Sequence, residues 1–122
     1  MADVMLIEDD PDVRVDLAFM LQQKGYKVST ARNGADALQR IKEEGVPRLI
    51  LLDLMMPDLD GWGFHRVLQQ HPALRSVPVV IVSGIADVGD EATMLGATWL
   101  TKPVDLEQLY QVVNLHLAAR VA

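Results

Sequence analysis

The chain has 122 residues, half of them apolar and none of them cysteine, and a formal net charge of −6. This length predicts one domain, residues 1–122, because a chain of this size buries roughly two-thirds of the surface that it exposes when unfolded. The composition excludes disulfides and thiolate metal sites, and the acidic balance argues against direct nucleic-acid binding. Neither a signal sequence nor a run of roughly 20 apolar residues is recognisable, so we expect a cytoplasmic protein without a membrane partner.

The chain opens with a strand-like segment and a well-delimited helix. Residues 3–8, DVMLIE, form an apolar run that is too short for a helix and predicts the first strand. A helix is predicted over residues 11–24, since Pro11 suits its first turn, Asp10 is a candidate N-cap and Gly25 stands where a C-cap glycine belongs.

The rest of the chain continues this alternation of strands and helices. Short, apolar or alternating runs predict strands, and amphipathic stretches bounded by turn residues predict helices. The strands are predicted at residues 26–31, 48–53, 77–83 and 97–101, and the helices at residues 34 to about 45, 62–70, 90–95 and 106–119.

Five strand–helix alternations with nearly continuous apolar strands imply a parallel sheet covered by helices on both faces. Right-handed crossovers leave few topologies for such a chain, and the flavodoxin-like strand order is the commonest for five strands. We therefore predict an α/β fold: a doubly wound, five-stranded parallel sheet in the flavodoxin-like order 2-1-3-4-5, with five helices.

Polar residues follow the predicted strands. In such a sheet the ligand site lies outside the carboxyl ends of the strands, and these ends carry the acids of residues 8–10, then Asp53, Ser83 and Thr101-Lys102. Crowded carboxylates repel one another unless a cation lies among them. Because hard oxygen ligands suit Mg²⁺, the sequence predicts a magnesium site at this edge.

Asp53 ends the otherwise apolar strand LILLD. A carboxylate there is costly unless it is paired, bound to a metal or placed where water and ligands reach it. Asp53 alone ends a central strand, whereas Glu8 and Asp9 form a pair better suited to holding a metal. Since carboxylates form acyl phosphates, we predict that Asp53 accepts a phosphoryl group and that Lys102 neutralises its charge.

Four segments, LIEDDPDVR, LILLDLMMPDLDG, VVIVSG and LTKPVD, occur in this order across nearly the whole chain. Together they resemble the receiver domain of two-component response regulators. The resemblance implies that Asp53 is the phosphoacceptor and that Glu8 and Asp9 are the acidic pair that binds Mg²⁺. It also implies that Met55, two residues past the acceptor, offers its backbone carbonyl to the metal.

The same resemblance assigns the remaining site residues. Ser83 matches the serine or threonine that binds a phosphoryl oxygen, and Lys102 matches the lysine that contacts the phosphoryl group. Pro103 matches the proline that follows this lysine, typically after a cis peptide bond. Trp99, three residues before the lysine, matches the aromatic residue that acts with Ser83 as the family's switch.

The resemblance also implies a mechanism and partners. A sensor histidine kinase or phosphotransfer protein would donate the phosphoryl group from a phosphohistidine, and the conformational change would signal to a downstream protein target or an attached output domain. Such a protein catalyses its own phosphorylation and dephosphorylation rather than acting as a conventional turnover enzyme. The choice of Glu8 and Asp9 as the acidic pair rests on alignment at Val13-Arg14, which leaves Asp10 as their neighbour.

Three features depart from the usual pattern. The segment between Ser83 and Lys102 is about three residues short, nearly one helical turn, so the helix near residues 90–95 should be stunted or displaced. Trp99 is larger than the usual tyrosine or phenylalanine. Met55 offers no side-chain donor to orient an attacking water, which predicts slow autodephosphorylation.

Three other functions are possible for a chain with this pattern. A haloacid-dehalogenase-like hydrolase needs a second aspartate where Met55 stands, and a flavodoxin-like cofactor binder needs a first loop rich in Ser, Thr and Gly rather than acids. A receiver-like interaction module that works without phosphorylation is the main alternative. The short segment after Ser83 favours that module, and the intact set of acceptor, acidic pair, serine and lysine argues against it.

Overall fold

The structure, a computed structural model, describes residues 2–53, 61–83, 98–101 and 105–118, which contain five strands and four helices. The strands are β1 (Val4–Ile7), β2 (Val28–Ala31), β3 (Leu49–Asp53), β4 (Val79–Ser83) and β5 (Thr98–Thr101). The helices are α1 (Pro11–Gln23), α2 (Gly34–Glu44), α3 (Gly61–Gln70) and the C-terminal helix (Leu106–Ala118).

The strands form one parallel sheet in the order β2-β1-β3-β4-β5. This is the predicted flavodoxin-like order, and it makes β1, β3 and β4 internal strands. The helix predicted near residues 90–95, together with the shortened segment around it, lies outside the described residues.

The two faces of the sheet are covered by different helices. Alternate residues of a strand point to opposite faces, so Val4 and Leu6 pack with α1 and the C-terminal helix, while Met5 and Ile7 pack with α2 and α3. Strands covered on both faces must be apolar throughout, and every residue of β1 is buried. The continuous apolar runs in the sequence follow from this double cover.

Two strands begin two residues later than predicted, because the amides ahead of them are used elsewhere. The amide of Tyr26 donates to the Leu21 carbonyl (3.3 Å) at the end of α1, so it cannot join β2. The amide of Val77 donates to the Leu74 carbonyl (3.0 Å) in the turn before β4. The prediction was wrong at these positions because an alternating pattern does not reveal where an amide finds its partner.

The predicted helix caps are confirmed. Asp10 precedes α1, and its Oδ1 accepts a hydrogen bond from the amide of Asp12 (2.9 Å). Gly25 and Gly45 follow α1 and α2 with φ of 92° and 99°, a conformation that L side chains rarely adopt. Asp10 marks where the loop between β1 and α1 ends, and the two glycines mark where the loops after α1 and α2 begin.

Candidate functional site

The register of the sheet brings the carboxyl ends of β1, β3, β4 and β5 to one edge, here called the carboxyl edge. The last parallel pairs there are Ile7 with Leu52, Asp53 with Val82, and Ser83 with Thr101. Glu8 follows Ile7 and Asp53 follows Leu52, so the backbones of the two acids lie level with each other, one step beyond this pair. Neighbouring strands of a sheet lie about 4.8 Å apart. Lys102 follows Thr101 directly in the chain.

Glu8 is buried at the carboxyl edge, with 2% of its surface exposed. Its amide donates to the Ala31 carbonyl (3.1 Å), which extends the pairing of β1 with β2 by one residue. A buried carboxylate is costly and is kept where it is paired, hydrogen-bonded or bound to a cation. Glu8 is therefore not a solvated charge at a helix end.

The two acids after Glu8 have different surroundings. Asp9 and Asp10 are both exposed. The carboxylate of Asp10 caps α1 by accepting hydrogen bonds from the amides of Asp12 (2.9 Å) and Val13 (3.4 Å). Asp9 is therefore the neighbour of Glu8 that does not cap the helix, and the pairing of Glu8 with Asp9 at a metal stays a prediction.

Arg14 holds the loop that carries these acids, a role that sequence reasoning missed. Its Nη1 donates to the carbonyl of Glu8 (2.9 Å) and, more weakly, to that of Asp9 (3.5 Å), and its amide donates to the carbonyl of Asp10 (2.9 Å). The available signal was a cation in the first turn of a helix, where the helix dipole disfavours positive charge. Sequence reasoning used Arg14 only to align the acidic pair.

The structure places three predicted site residues by their backbones alone. Asp53 and Ser83 end neighbouring strands, and Trp99 pairs with Ile81 across β4 and β5. Their side chains, and the whole of Met55, Lys102 and Pro103, lie outside the described residues. The arrangement of their functional groups therefore stays a prediction.

The acids at the carboxyl edge fit a hard cation. Glu8 and Asp9 follow β1, and Asp53 ends the neighbouring strand β3. Carboxylate oxygens are the ligands that Mg²⁺ prefers. Within the described side chains no group of three acidic or histidine residues is close enough to bind a metal. The predicted ligands also include Met55 and the side chain of Asp53, which lie outside the described residues.

Comparison with known proteins identifies the family. The sequence profile of the response regulator receiver domain matches residues 4–114. The chain belongs to this family. A receiver domain is the phosphorylatable element of two-component signalling, and that is the function of this chain. The family in general depends on Mg²⁺, and response regulators interact with histidine kinases and with downstream targets or output domains.

Its relatives include both small and large proteins. Protein PilH of Pseudomonas aeruginosa is 34% identical over 121 residues, which are 97% of this chain and 99% of PilH. Response regulator PleD of Caulobacter vibrioides is 38% identical over 114 residues, 90% of this chain but 25% of PleD. The receiver domain thus occurs among its relatives both nearly alone and as part of a longer protein.

A solved structure agrees with the family. The receiver domain of a signal transduction histidine kinase from Syntrophus aciditrophicus superposes with a TM-score of 0.85 and 30% sequence identity, covering 98% of this chain and 92% of that one. No helix in the described parts of the present receiver domain is long and apolar enough to cross a membrane.

Proposed function

We propose that this receiver domain accepts a phosphoryl group on Asp53 from the phosphohistidine of a sensor histidine kinase or a phosphotransfer protein. The observation that carries the proposal is the register of the carboxyl edge. Asp53 is the last residue of an internal strand, level with buried Glu8 on one neighbour and one step before Ser83 on the other. A strand end at such an edge combines a rigid support with access for a ligand.

The proposed reaction is a direct transfer. A carboxylate oxygen of Asp53 bonds to phosphorus while the bond from phosphorus to the donor imidazole breaks, and the imidazole nitrogen keeps the electron pair and is protonated. The Ser83 hydroxyl donates to a phosphoryl oxygen, and the Lys102 ammonium neutralises another. Because little proton transfer is needed, positioning and charge neutralisation are the main tasks of the protein.

The proposed Mg²⁺ ligands are the carboxylates of Glu8, Asp9 and Asp53 and the backbone carbonyl of Met55. Bound there, Mg²⁺ supplies positive charge beside the transferring phosphoryl group. The burial of Glu8 supports this assignment, since a carboxylate withdrawn from water gains more from a cation than an exposed one does.

Signalling is proposed to depend on Ser83 and Trp99 as the switch, with Pro103 as a candidate cis-proline. The readers of the switch are a downstream protein target or an attached output domain, in the cytoplasm and without direct contact to nucleic acid or membrane. Hydrolysis of the phosphorylated form is slow, because Met55 has no side-chain donor to orient water.

The test is intact mass after incubation with Mg²⁺ and acetyl phosphate. We expect the wild type to gain one phosphoryl group, and we expect no gain without metal or with Asp53→Asn. Asp16→Asn is the matched control, since Asp16 is an exposed acid on α1 away from the strand ends, and it should be phosphorylated like the wild type. Decay of the added mass after removal of the donor measures hydrolysis, and a half-life of only seconds would contradict slow dephosphorylation.

A wild type that binds Mg²⁺ but gains no phosphoryl group would contradict the proposal. That result favours the receiver-like interaction module that works without phosphorylation. Phosphorylation that persists in Asp53→Asn would instead show that another residue is the acceptor.

A further inference from the structure

We propose that Arg14 is the positioning residue of the acidic pair formed by Glu8 and Asp9, setting the affinity of this pair for Mg²⁺. The inference rests on the proposed function, because it concerns the same metal site. Arg14 acts through the backbone of the loop between β1 and α1 and does not contact the phosphoryl group in this proposal.

The loop is held from both ends and, in the middle, by Arg14. On the strand side the amide of Glu8 pairs with Ala31, and on the helix side the carboxylate of Asp10 caps α1. Arg14 accounts for the carbonyls in between: its guanidinium binds those of Glu8 and Asp9, and its amide binds that of Asp10. The bond from the amide is the first bond of α1, which any residue except proline would form here, so the guanidinium itself adds the hold on the carbonyls of Glu8 and Asp9. The orientation of these two peptide groups determines where the two carboxylates start.

The charge of Arg14 is directed at the backbone. The ion pairs found in the described part of the chain involve Arg32, Arg40 and Arg48 rather than Arg14. The guanidinium therefore orients the loop without forming an ion pair with the carboxylate of Glu8 or Asp9. A cation in the first turn of α1 opposes the helix dipole, and its bonds to two carbonyls offset that cost.

The planar shape of the side chain matters for this role. A guanidinium presents several donors in a rigid fork, whereas a lysine ammonium is a point charge on a flexible stem. Arg14→Lys should therefore orient the loop less well than arginine and better than an uncharged residue. Partners that orient metal ligands typically change metal affinity by about 10- to 100-fold when they are removed.

The experiment measures Mg²⁺ affinity by isothermal titration calorimetry, together with the Mg²⁺ dependence of phosphorylation by acetyl phosphate. In Arg14→Met and Arg14→Gln we expect Mg²⁺ to bind about tenfold or more weakly, with Arg14→Lys in between. At saturating Mg²⁺ the maximal phosphorylation rate should return to near the wild-type value, because the reacting groups are intact.

Arg48→Met is the matched control. Arg48 is also half-buried and also donates to a backbone carbonyl, that of Leu117 (3.0 Å), but it precedes β3 at the opposite edge of the sheet. We expect this variant to lower the melting temperature without changing Mg²⁺ affinity. A purely structural role for Arg14 would make the two arginine variants alike.

Wild-type Mg²⁺ affinity in Arg14→Met, or in Arg14→Gln if the methionine variant does not fold, would overturn the inference and leave the proposed function standing. Equal losses of affinity in the Arg14 and Arg48 variants would overturn it as well. A wild type that binds no Mg²⁺ and gains no phosphoryl group would remove the proposed function and this inference together.

Discussion

Three consecutive acids follow β1, and each has a different environment. Glu8 is buried, Asp9 is exposed, and Asp10 caps α1 with its carboxylate. These similar side chains thus have different roles, because Glu8 directly follows a strand whereas Asp10 directly precedes a helix. The run of acids is both a candidate metal site and a helix cap.

This division of roles predicts different effects of Asp9→Asn and Asp10→Asn. Asparagine is as good an N-cap as aspartate, so Asp10→Asn should change the free energy of unfolding by no more than about 0.5 kcal/mol and should change Mg²⁺ affinity little. Asp9→Asn should also leave stability nearly unchanged but weaken Mg²⁺ binding by about tenfold or more, since it removes a charged ligand. Urea unfolding and calorimetric titration measure the two quantities.

Weaker Mg²⁺ binding in Asp10→Asn than in Asp9→Asn would contradict this prediction. If Asp10→Asn loses more affinity than Asp9→Asn, the acidic pair is Glu8 with Asp10, and the alignment at Val13-Arg14 is wrong. Asp16→Asn, an exposed acid one turn into α1, controls for the general loss of negative charge.

At the scale of the elements, the C-terminal helix packs against the sheet through one apolar face. In the C-terminal helix Leu109 is fully buried, whereas Leu115 is 69% exposed. Both are leucines in the same helix, so they have the same intrinsic helix propensity and differ only in what they contact. Leu109 belongs to the cluster that includes Val4, Leu51 and Val82.

The different burial of Leu109 and Leu115 predicts that truncating them to alanine destabilises the protein to very different extents. Leu109→Ala should reduce the free energy of unfolding by about 2–5 kcal/mol, because it removes buried methyl groups and leaves a cavity. Leu115→Ala should change it by no more than about 0.5 kcal/mol. Urea unfolding followed by circular dichroism measures both, and equal effects would show that the C-terminal helix does not pack as described.

Across the whole molecule, the sheet brings together acids from distant parts of an already acidic chain. The net charge is −6, and Glu8 and Asp9 follow β1 beside the end of β3, where Asp53 stands. Carboxylates that come close together repel one another unless a cation lies among them. A divalent cation bound there would relieve this repulsion and join β1 to β3. Binding to the folded state alone stabilises a protein by mass action.

Mg²⁺ is therefore expected to raise the melting temperature of the wild type. At a free concentration of 100 times the wild-type dissociation constant the gain is about 2.7 kcal/mol. In Asp9→Asn, with binding about tenfold weaker, the gain at the same concentration should fall to about 1.4 kcal/mol. Differential scanning fluorimetry measures the shift. NaCl at matched ionic strength is the control, because salt also screens repulsion between exposed charges, and an equal shift in NaCl would contradict a specific site.

Sequence reasoning succeeded where the signal is local and failed where it depends on distant contacts. The caps at Asp10 and Gly25 were predicted, because capping depends on residues within one turn of the chain. The helical pattern of α1 could not separate Leu17 from Phe19, since both are apolar. In the folded chain Leu17 is 8% exposed and Phe19 is 54% exposed, because only one side of α1 faces the sheet.

The sequence by itself determined the type and order of the described elements, the family, and the position of Asp53 at the end of an apolar strand. Hydrophobic periodicity, turn residues and the four quoted segments are all properties of short stretches of chain. Only the tertiary structure decided that Glu8 is buried level with Asp53 and that Arg14 binds the carbonyls beside it. Those facts depend on strand register and on the packing of α1, which arise from contacts between residues far apart in the chain.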